Sequence, residues 1–311
     1  MTQSVRVLVL GGTGHYGRHI VRSLAAKGVP VRVLTRSVAR ASGVLPETVE
    51  LTEGDLESRD AVARALQGVD RVVVAVSAFT RGQIRKMAAV ERDAVIAALD
   101  QAAAARVRRI VYVSVFDIQP QQIPLRAPLD SGTIKQDVEA YLRSSDFDWT
   151  VLGAPPSMEL FFAMMRGDRM IVPGGGPKSL PTISPVDLGE VAAQAVLRDD
   201  LGEQRIRLAG PDLLSFPEAA RRLSALYGKT IHFTAIPLVF PRIAWYATWP
   251  LAKLSSSLEY VHSILGFVQL LNSFPQDIAL ASGKDYENLV RIFSYTPTTI
   301  EMEARRRQEP S

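Results

Sequence analysis

The chain has 311 residues, of which 47% are hydrophobic and 22% charged, with 36 Lys and Arg against 32 Asp and Glu. This is the composition of a globular protein, and the length suffices for one large α/β unit with a subordinate lobe. The absence of cysteine excludes disulfides, thiolate metal ligands and a Cys nucleophile. The basic excess is mild and is concentrated at residues 305–307, which argues against a nucleic-acid-binding stripe.

In the first half of the chain, short β-branched runs alternate with helical patterns. We predict strands at 5–10, 31–35, 49–52, 71–76, 109–115 and 149–152. We predict helices at 14–27, 59–67, 84–104 and 132–143. Such alternation is typical of an α/β fold with a doubly wound parallel (Rossmann) sheet, whose ligand lies at the carboxyl ends of the strands.

After residue 153 the alternation ends. A helix is predicted at 184–197 and a strand at 204–208, a further helix begins near Ser215, and the remaining chain is expected to be helical. We therefore place a Rossmann domain at 1–155. A smaller, mostly helical lobe for substrate or partner follows at 156–311 and is partly intertwined with the first domain.

The segment 236–274 is apolar, but Arg242, Lys253 and Glu259 interrupt it, so no transmembrane segment is predicted. We interpret it as one or two amphipathic helices. These could form a lid, an oligomer contact, or a surface for a partner protein or a membrane.

The N-terminus lacks the basic and apolar regions of a secretion signal, so a cytoplasmic location is expected. The oligomeric state is left open.

A glycine loop lies between the first predicted strand and the first helix. It consists of Gly11, Gly12, Thr13, Gly14, His15, Tyr16 and Gly17. Glycines at this spacing permit a tight turn and a close approach of the backbone to a phosphate, while the helix N-terminus offers N–H groups to it. The alternative is an ordinary strand-to-helix turn. The position directly after a strand and before a helix favours a dinucleotide site.

Two further positions bear on the nucleotide. The second strand ends at Arg36, where an acidic residue would bind the ribose of NAD; a guanidinium can instead grip a 2′-phosphate, so NADP(H) is favoured over NAD(H). A solvated loop arginine is the alternative. Asp55 and Leu56 follow the third strand, where Asp55 either accepts a hydrogen bond from adenine or caps the helix near Arg59.

These residues, together with 111–114, 135–152 and 183–189, resemble the NmrA-like group of atypical short-chain dehydrogenases/reductases. The resemblance extends to about residue 235. It implies NAD(P)H binding, with Ser77 near the cofactor, Lys135 near the nicotinamide ribose and a substrate cleft under the C-terminal lobe. Ser114 would contribute a hydroxyl at the end of the fifth strand.

The chain departs from this family at two places. The wider superfamily uses a Tyr four residues before the Lys as its proton donor, and here that residue is Ser131. The Arg-Pro that commonly follows the sixth strand is replaced by Gly153 and Ala154, so the next residue, Pro155, is expected to shape the cofactor pocket through its backbone.

Met158, Phe161 and Phe162 follow this loop and form either core or the wall of a substrate pocket. The histidines show no metal-ligand spacing, so no metal is expected. The leading hypothesis is an NADPH-dependent reductase of a small apolar carbonyl, quinone or enoyl substrate, with Lys135 and Ser114 as catalytic residues. The alternative is a non-catalytic NADP(H) sensor or assembly factor. A sugar-nucleotide epimerase is disfavoured because it also needs the Tyr.

Overall fold

The structure, a computed structural model, describes residues 5–116 and 130–308, apart from the side chains of residues 130 and 131. Its centre is a sheet of seven parallel strands in the order β3-β2-β1-β4-β5-β6-β10, labelled in chain order. They are β1 (Val7–Leu10), β2 (Val31–Thr35), β3 (Glu50–Glu53), β4 (Arg71–Val74), β5 (Arg109–Val115), β6 (Asp148–Ala154) and β10 (Gln204–Arg207). The strand order reverses between β1 and β4, which is the place where doubly wound sheets bind ligands.

Helices cover both faces of this sheet. One face packs against α1 (Gly17–Ala26) and α7 (Pro185–Leu197), and the other against α3 (Arg59–Leu66), α4 (Ala94–Ala104) and α5 (Asp130–Arg143). All four residues of β1 are buried, as expected for a strand covered on both sides. The predicted Rossmann fold is therefore confirmed.

The remaining elements form the C-terminal region and short additions to the sheet unit. The helices are α2 (Val38–Ser42), α6 (Glu159–Ala163), α8 (Phe216–Tyr227), α9 (Val239–Ala252), α10 (Ser256–Asn272), α11 (Gln276–Ile292) and α12 (Ile300–Arg306). The strands are β7 (Met165–Arg166), β8 (Arg169–Pro173), β9 (Leu180–Pro181), β11 (Leu213–Leu214) and β12 (His232–Ile236). A third apolar cluster joins α6, α8, α11 and α12. Because α7 and β10 belong to the central sheet unit, the chain beyond residue 155 contributes to both regions.

Three local predictions need correction. The first helix begins at Gly17 and not at Gly14, because residues 11–16 form a turn. The helix predicted at 84–104 opens with a 3-10 turn, Ile84–Lys86, and a π-helical segment, Ala89–Asp93. Strand β12 pairs in parallel with β8 within a stretch that was expected to be helical. Across the described residues, no helix combines the length and apolar character needed to cross a membrane.

Candidate functional site

The glycine loop packs so closely on the sheet and on its own backbone that a Cβ at Gly11 or Gly17 would overlap a carbonyl oxygen. Gly11 has a φ of +81°, and a Cβ there would lie 2.5 Å from the Ala75 carbonyl oxygen. A Cβ on Gly17 would collide with the Gly11 carbonyl oxygen. The Gly14 amide donates to that same oxygen over 2.9 Å and closes the turn. The backbone is thus open to a ligand at the N-terminus of α1, whose first turn contains no acidic residue.

A cavity of about 400 Å³ opens beside this loop, at the carboxyl ends of β1, β2 and β4. Nine of the residues singled out from the sequence line it: Gly11, Thr13, Gly14, His15, Tyr16, Arg36, Asp55, Leu56 and Ser77. Ala75 and Val76 form its floor beside Ser77, while Phe79 and Thr80 extend its rim. The volume and the lining agree with a cleft for an elongated nucleotide.

Arg36 and Asp55 lie at the β2–β3 end of the cavity. The exposed Arg36 side chain forms no hydrogen bond or ion pair with any residue that the structure describes, so its guanidinium is available to an anion. The Asp55 carboxylate accepts a hydrogen bond from the Glu57 amide, and Ser58 is the residue that caps α3. The alternative in which Asp55 caps that helix is therefore wrong.

Lys135 lies behind the cavity rather than in its lining. Its Nζ is 3.0 Å from the Val76 carbonyl oxygen, to which it donates, and 3.2 Å from Glu91 Oε2. Glu91 Oε1 accepts a hydrogen bond from the Ala78 amide. Lys135 and Glu91 together therefore hold both ends of the segment 76–78, whose residue Ser77 lines the cavity. Glu91, a buried residue of the π-helical segment, had not been singled out from the sequence.

Ser114 is also buried, and its hydroxyl donates to Glu139 Oε1 over 2.5 Å. Glu139 lies one helical turn after Lys135 and pairs with Arg205 and Arg143, at 2.9 and 2.7 Å. The Arg205 guanidinium lies over Gly153 so closely that a Cβ there would be 2.8 Å from Nη1. An arginine from β10 thus occupies space beside the position where the family commonly has its own arginine.

A second polar chain joins the glycine loop to the residues after β6. His15 Nε2 is 3.1 Å from Ser157 Oγ, and His15 Nδ1 is 3.3 Å from Glu159 Oε2. Burial lowers the pKa of His15, partly opposed by Glu159, which favours the neutral ring at pH 7. The Tyr16 hydroxyl reaches towards the Pro155 carbonyl oxygen, at 3.5 Å. Pro155 therefore adjoins the loop through its backbone, outside the cavity lining.

The proposed substrate wall lies mostly in the core. Met158 and Phe161 are fully buried in the third apolar cluster, and Phe161 packs edge-to-face on Phe216. Phe162 is partly buried, with the Arg307 guanidinium 4.7 Å from its ring centre. Neither Met158, Phe161 nor Phe162 lines the cavity described above.

This fold and this cavity define a dinucleotide-binding protein. The chain matches the family model described as NAD(P)H-binding over residues 11–199 and belongs to that family. The resemblance to NmrA-like atypical short-chain dehydrogenases/reductases is confirmed.

Individual relatives cover most of the chain at low identity. An NAD(P)H azoreductase of Xenophilus azovorans is 28% identical over 237 residues, which are 75% of this chain and 77% of that protein. Photosystem II assembly factor Ycf39 of Cyanophora paradoxa is 23% identical over 243 residues, covering 76% and 74%. The crystal structure of the NADPH-dependent quinone oxidoreductase QOR2 of Escherichia coli has a TM-score of 0.70 at 18% identity, over 97% of this chain and 100% of that one. It shows that the fold is shared.

Proposed function

We propose that this protein is an NADPH-dependent reductase of a small apolar carbonyl, quinone or enoyl substrate. The observation that carries the proposal is the meeting in one cavity of the glycine loop and of Arg36, which has no partner among the residues that the structure describes. The backbone of Gly11 to Gly17 would hold the pyrophosphate, and Arg36 would hold the 2′-phosphate through paired hydrogen bonds. Asp55 and Leu56 would contact the adenine, and Ser77 and Pro155 the nicotinamide half.

When bound, the cofactor supplies a hydride to the substrate; the protein's own residues orient the reactants and handle the proton. Lys135 and Ser114 keep a role in this proposal through the groups that they contact. Lys135 holds the segment 76–78, which would contact the cofactor, and Glu139, which accepts from Ser114, holds Arg205 beside Gly153. His15 lines the cavity and is hydrogen-bonded to Ser157, so these two residues form the route by which a proton would reach the reduced substrate.

The proposal is tested by NADPH oxidation with a panel of quinones, enones and aldehydes. We expect turnover with at least one acceptor class and faster oxidation of NADPH than of NADH. Binding of NADPH in calorimetry, without turnover on any acceptor, would contradict the reductase. Failure to bind either coenzyme would contradict the site itself.

A second candidate is a non-catalytic NADP(H)-binding sensor or assembly factor. It is favoured by the burial of Ser114 in a hydrogen bond to Glu139 and of Lys135 in an ion pair with Glu91, and by the resemblance to a protein named as an assembly factor. Tight NADPH binding without turnover, together with a protein that co-purifies, would support this function.

A further inference from the structure

The solvent-facing side of α9 carries large apolar residues, whereas a helix in contact with water usually has polar residues there. Val239, Ile243 and Tyr246 recur at intervals of three and four residues, so they share one side of the helix. Seven large apolar residues of α9 and the two residues after it are exposed: Val239, Phe240, Ile243, Tyr246, Trp249, Leu251 and Leu254. Ile243 is 61% exposed and Trp249 is 66% exposed. We call these seven residues the apolar face of α9, and such a continuous exposed apolar surface marks an interaction site.

The opposite side of α9 is anchored to the protein. Pro241, Trp245 and Ala252 are buried, and the Trp245 ring stacks on the buried His262 of α10 with 5.0 Å between ring centres. His262 Nδ1 also lies 3.0 Å from the Thr248 hydroxyl. Because the inward side is held in this way, the apolar face of α9 is directed away from the molecule.

The charged residues of α9 and of its C-terminal end are basic, and the carboxylate of Glu259 on the neighbouring α10 is paired with Arg85. No Asp or Glu occurs between Glu218 and Glu259, while Arg242 and Lys253 lie on the exposed side of α9 and just after it. Neither side chain forms an ion pair with any residue in the described part of the chain. A surface that complements this face must therefore offer an apolar region to its hydrophobic side chains and anionic groups to Arg242 and Lys253.

We propose that the apolar face of α9 binds the surface of an anionic lipid bilayer, with the helix lying in the plane of the membrane. Phe, Trp, Tyr and aliphatic side chains would enter the headgroup region, and Arg242 and Lys253 would contact lipid phosphates. Aromatic residues next to basic ones are typical of the membrane interface.

The attachment of the α9–α10 pair places this surface near the cavity. Arg85 donates to the carbonyl oxygens of Ala252 and Lys253 at the end of α9 and pairs with Glu259 of α10 at 3.0 Å. Phe79, on the rim of the cavity, lies 5.9 Å from the Tyr260 ring. The segment from Phe79 to Arg85 therefore contacts both the cavity and the α9–α10 pair, so a bilayer bound to α9 would lie close to the cofactor site.

The test is sedimentation with vesicles of phosphatidylcholine alone or of phosphatidylcholine mixed with the anionic lipid phosphatidylglycerol. We expect binding to the anionic vesicles that weakens as salt is raised. Trp149 and Trp245 are buried, so a blue shift of tryptophan emission on binding would come from Trp249. Replacing Arg242 with Gln should weaken the affinity about fivefold, the usual contribution of one basic residue near such a surface.

Ile243→Asp should abolish vesicle binding, and Leu280→Asp is its control, because Leu280 is 72% exposed on α11, outside the apolar face of α9. Circular dichroism checks that both variants fold, and NADPH titration should give wild-type affinity for both. Two results would overturn the proposal: no binding of the wild type to anionic vesicles at low salt, or a wild-type dimer that Ile243→Asp dissociates while vesicle binding is absent. The second result would assign the face to another copy of the chain. Neither depends on whether the protein is a reductase.

Discussion

Lys135 and Glu91 form an ion pair of 3.2 Å behind the cofactor cavity, in which 10% of the lysine side chain and 1% of the glutamate side chain are exposed. Each partner also contacts the backbone of the segment 76–78, Lys135 at the Val76 carbonyl and Glu91 at the Ala78 amide. A buried pair of this kind fixes geometry more than it adds stability. Through the backbone of the segment 76–78, this ion pair connects Lys135, the lysine that the family resemblance implies, to the cavity.

Breaking this pair should be costly, because one buried charge would remain without a partner. We expect Lys135→Met to lower the free energy of unfolding by about 3–5 kcal/mol, measured by urea denaturation. The double variant Lys135→Met/Glu91→Gln should recover part of that loss, since no charge remains buried.

For activity, Lys135→Ala is expected to abolish turnover of whichever acceptor the wild type reduces. NADPH oxidation at the wild-type rate in a folded Lys135→Ala variant would remove the residue from the mechanism. A fall in NADPH affinity with normal turnover at saturation would leave it a role in binding alone.

Arg36 should decide the preference between the two coenzymes. Because charge-assisted hydrogen bonds to a phosphate would be lost, Arg36→Ala should weaken NADPH binding by about tenfold or more and leave NADH binding nearly unchanged. Arg40→Ala is a matched control, since Arg40 is exposed on α2 and does not line the cavity. Equal losses for the two coenzymes would contradict the assigned role.

Gly17 and Gly28, near the two ends of α1, should respond differently to the same change. Gly17→Ala brings a Cβ into the Gly11 carbonyl, so the loop must shift and coenzyme binding should be lost. Gly28 has a φ of +71° but open space around it, so Gly28→Ala should cost about 1 kcal/mol of stability and spare binding. Calorimetric titration with NADPH distinguishes them; retained affinity in Gly17→Ala would contradict the close fit.

Asp187 should make stability depend on pH between about 4 and 6. Burial raises the pKa of Asp187 to about 6, despite its hydrogen bonds from the amide and hydroxyl of Thr298. The folded state therefore holds the proton more tightly than the unfolded state does, and stability falls as pH rises through this window. A shift of about two units corresponds to about 3 kcal/mol.

The matched variant is Asp187→Asn, which resembles the protonated acid in shape. Relative to the wild type, it should lose less stability between pH 4 and pH 6.5 in urea denaturation. Parallel pH profiles for the two proteins would show that Asp187 titrates normally in the folded state.

The sequence could indicate the glycine loop, Arg36 and Asp55 because each follows the end of a predicted strand, whereas Ser77 was indicated by the family resemblance. Glu91 could not be found, because a regular helix over 84–104 would not by itself bring its carboxylate to the Ala78 amide. Glu139 and Arg205 were missed for a related reason: they are 66 residues apart, and they meet only because β10 pairs with β6.

Hydrophobic periodicity by itself determined the class of fold and the end of the sheet where the cofactor site lies, since both depend on patterns within about 20 residues. Only the tertiary structure decided that Lys135 and Ser114 are directed into buried pairs, that Met158 and Phe161 belong to the core, and which side of α9 is exposed. The physical reason is that burial and ion pairing depend on neighbours brought together by packing, and a helical pattern with apolar residues on both sides does not say which side will be covered.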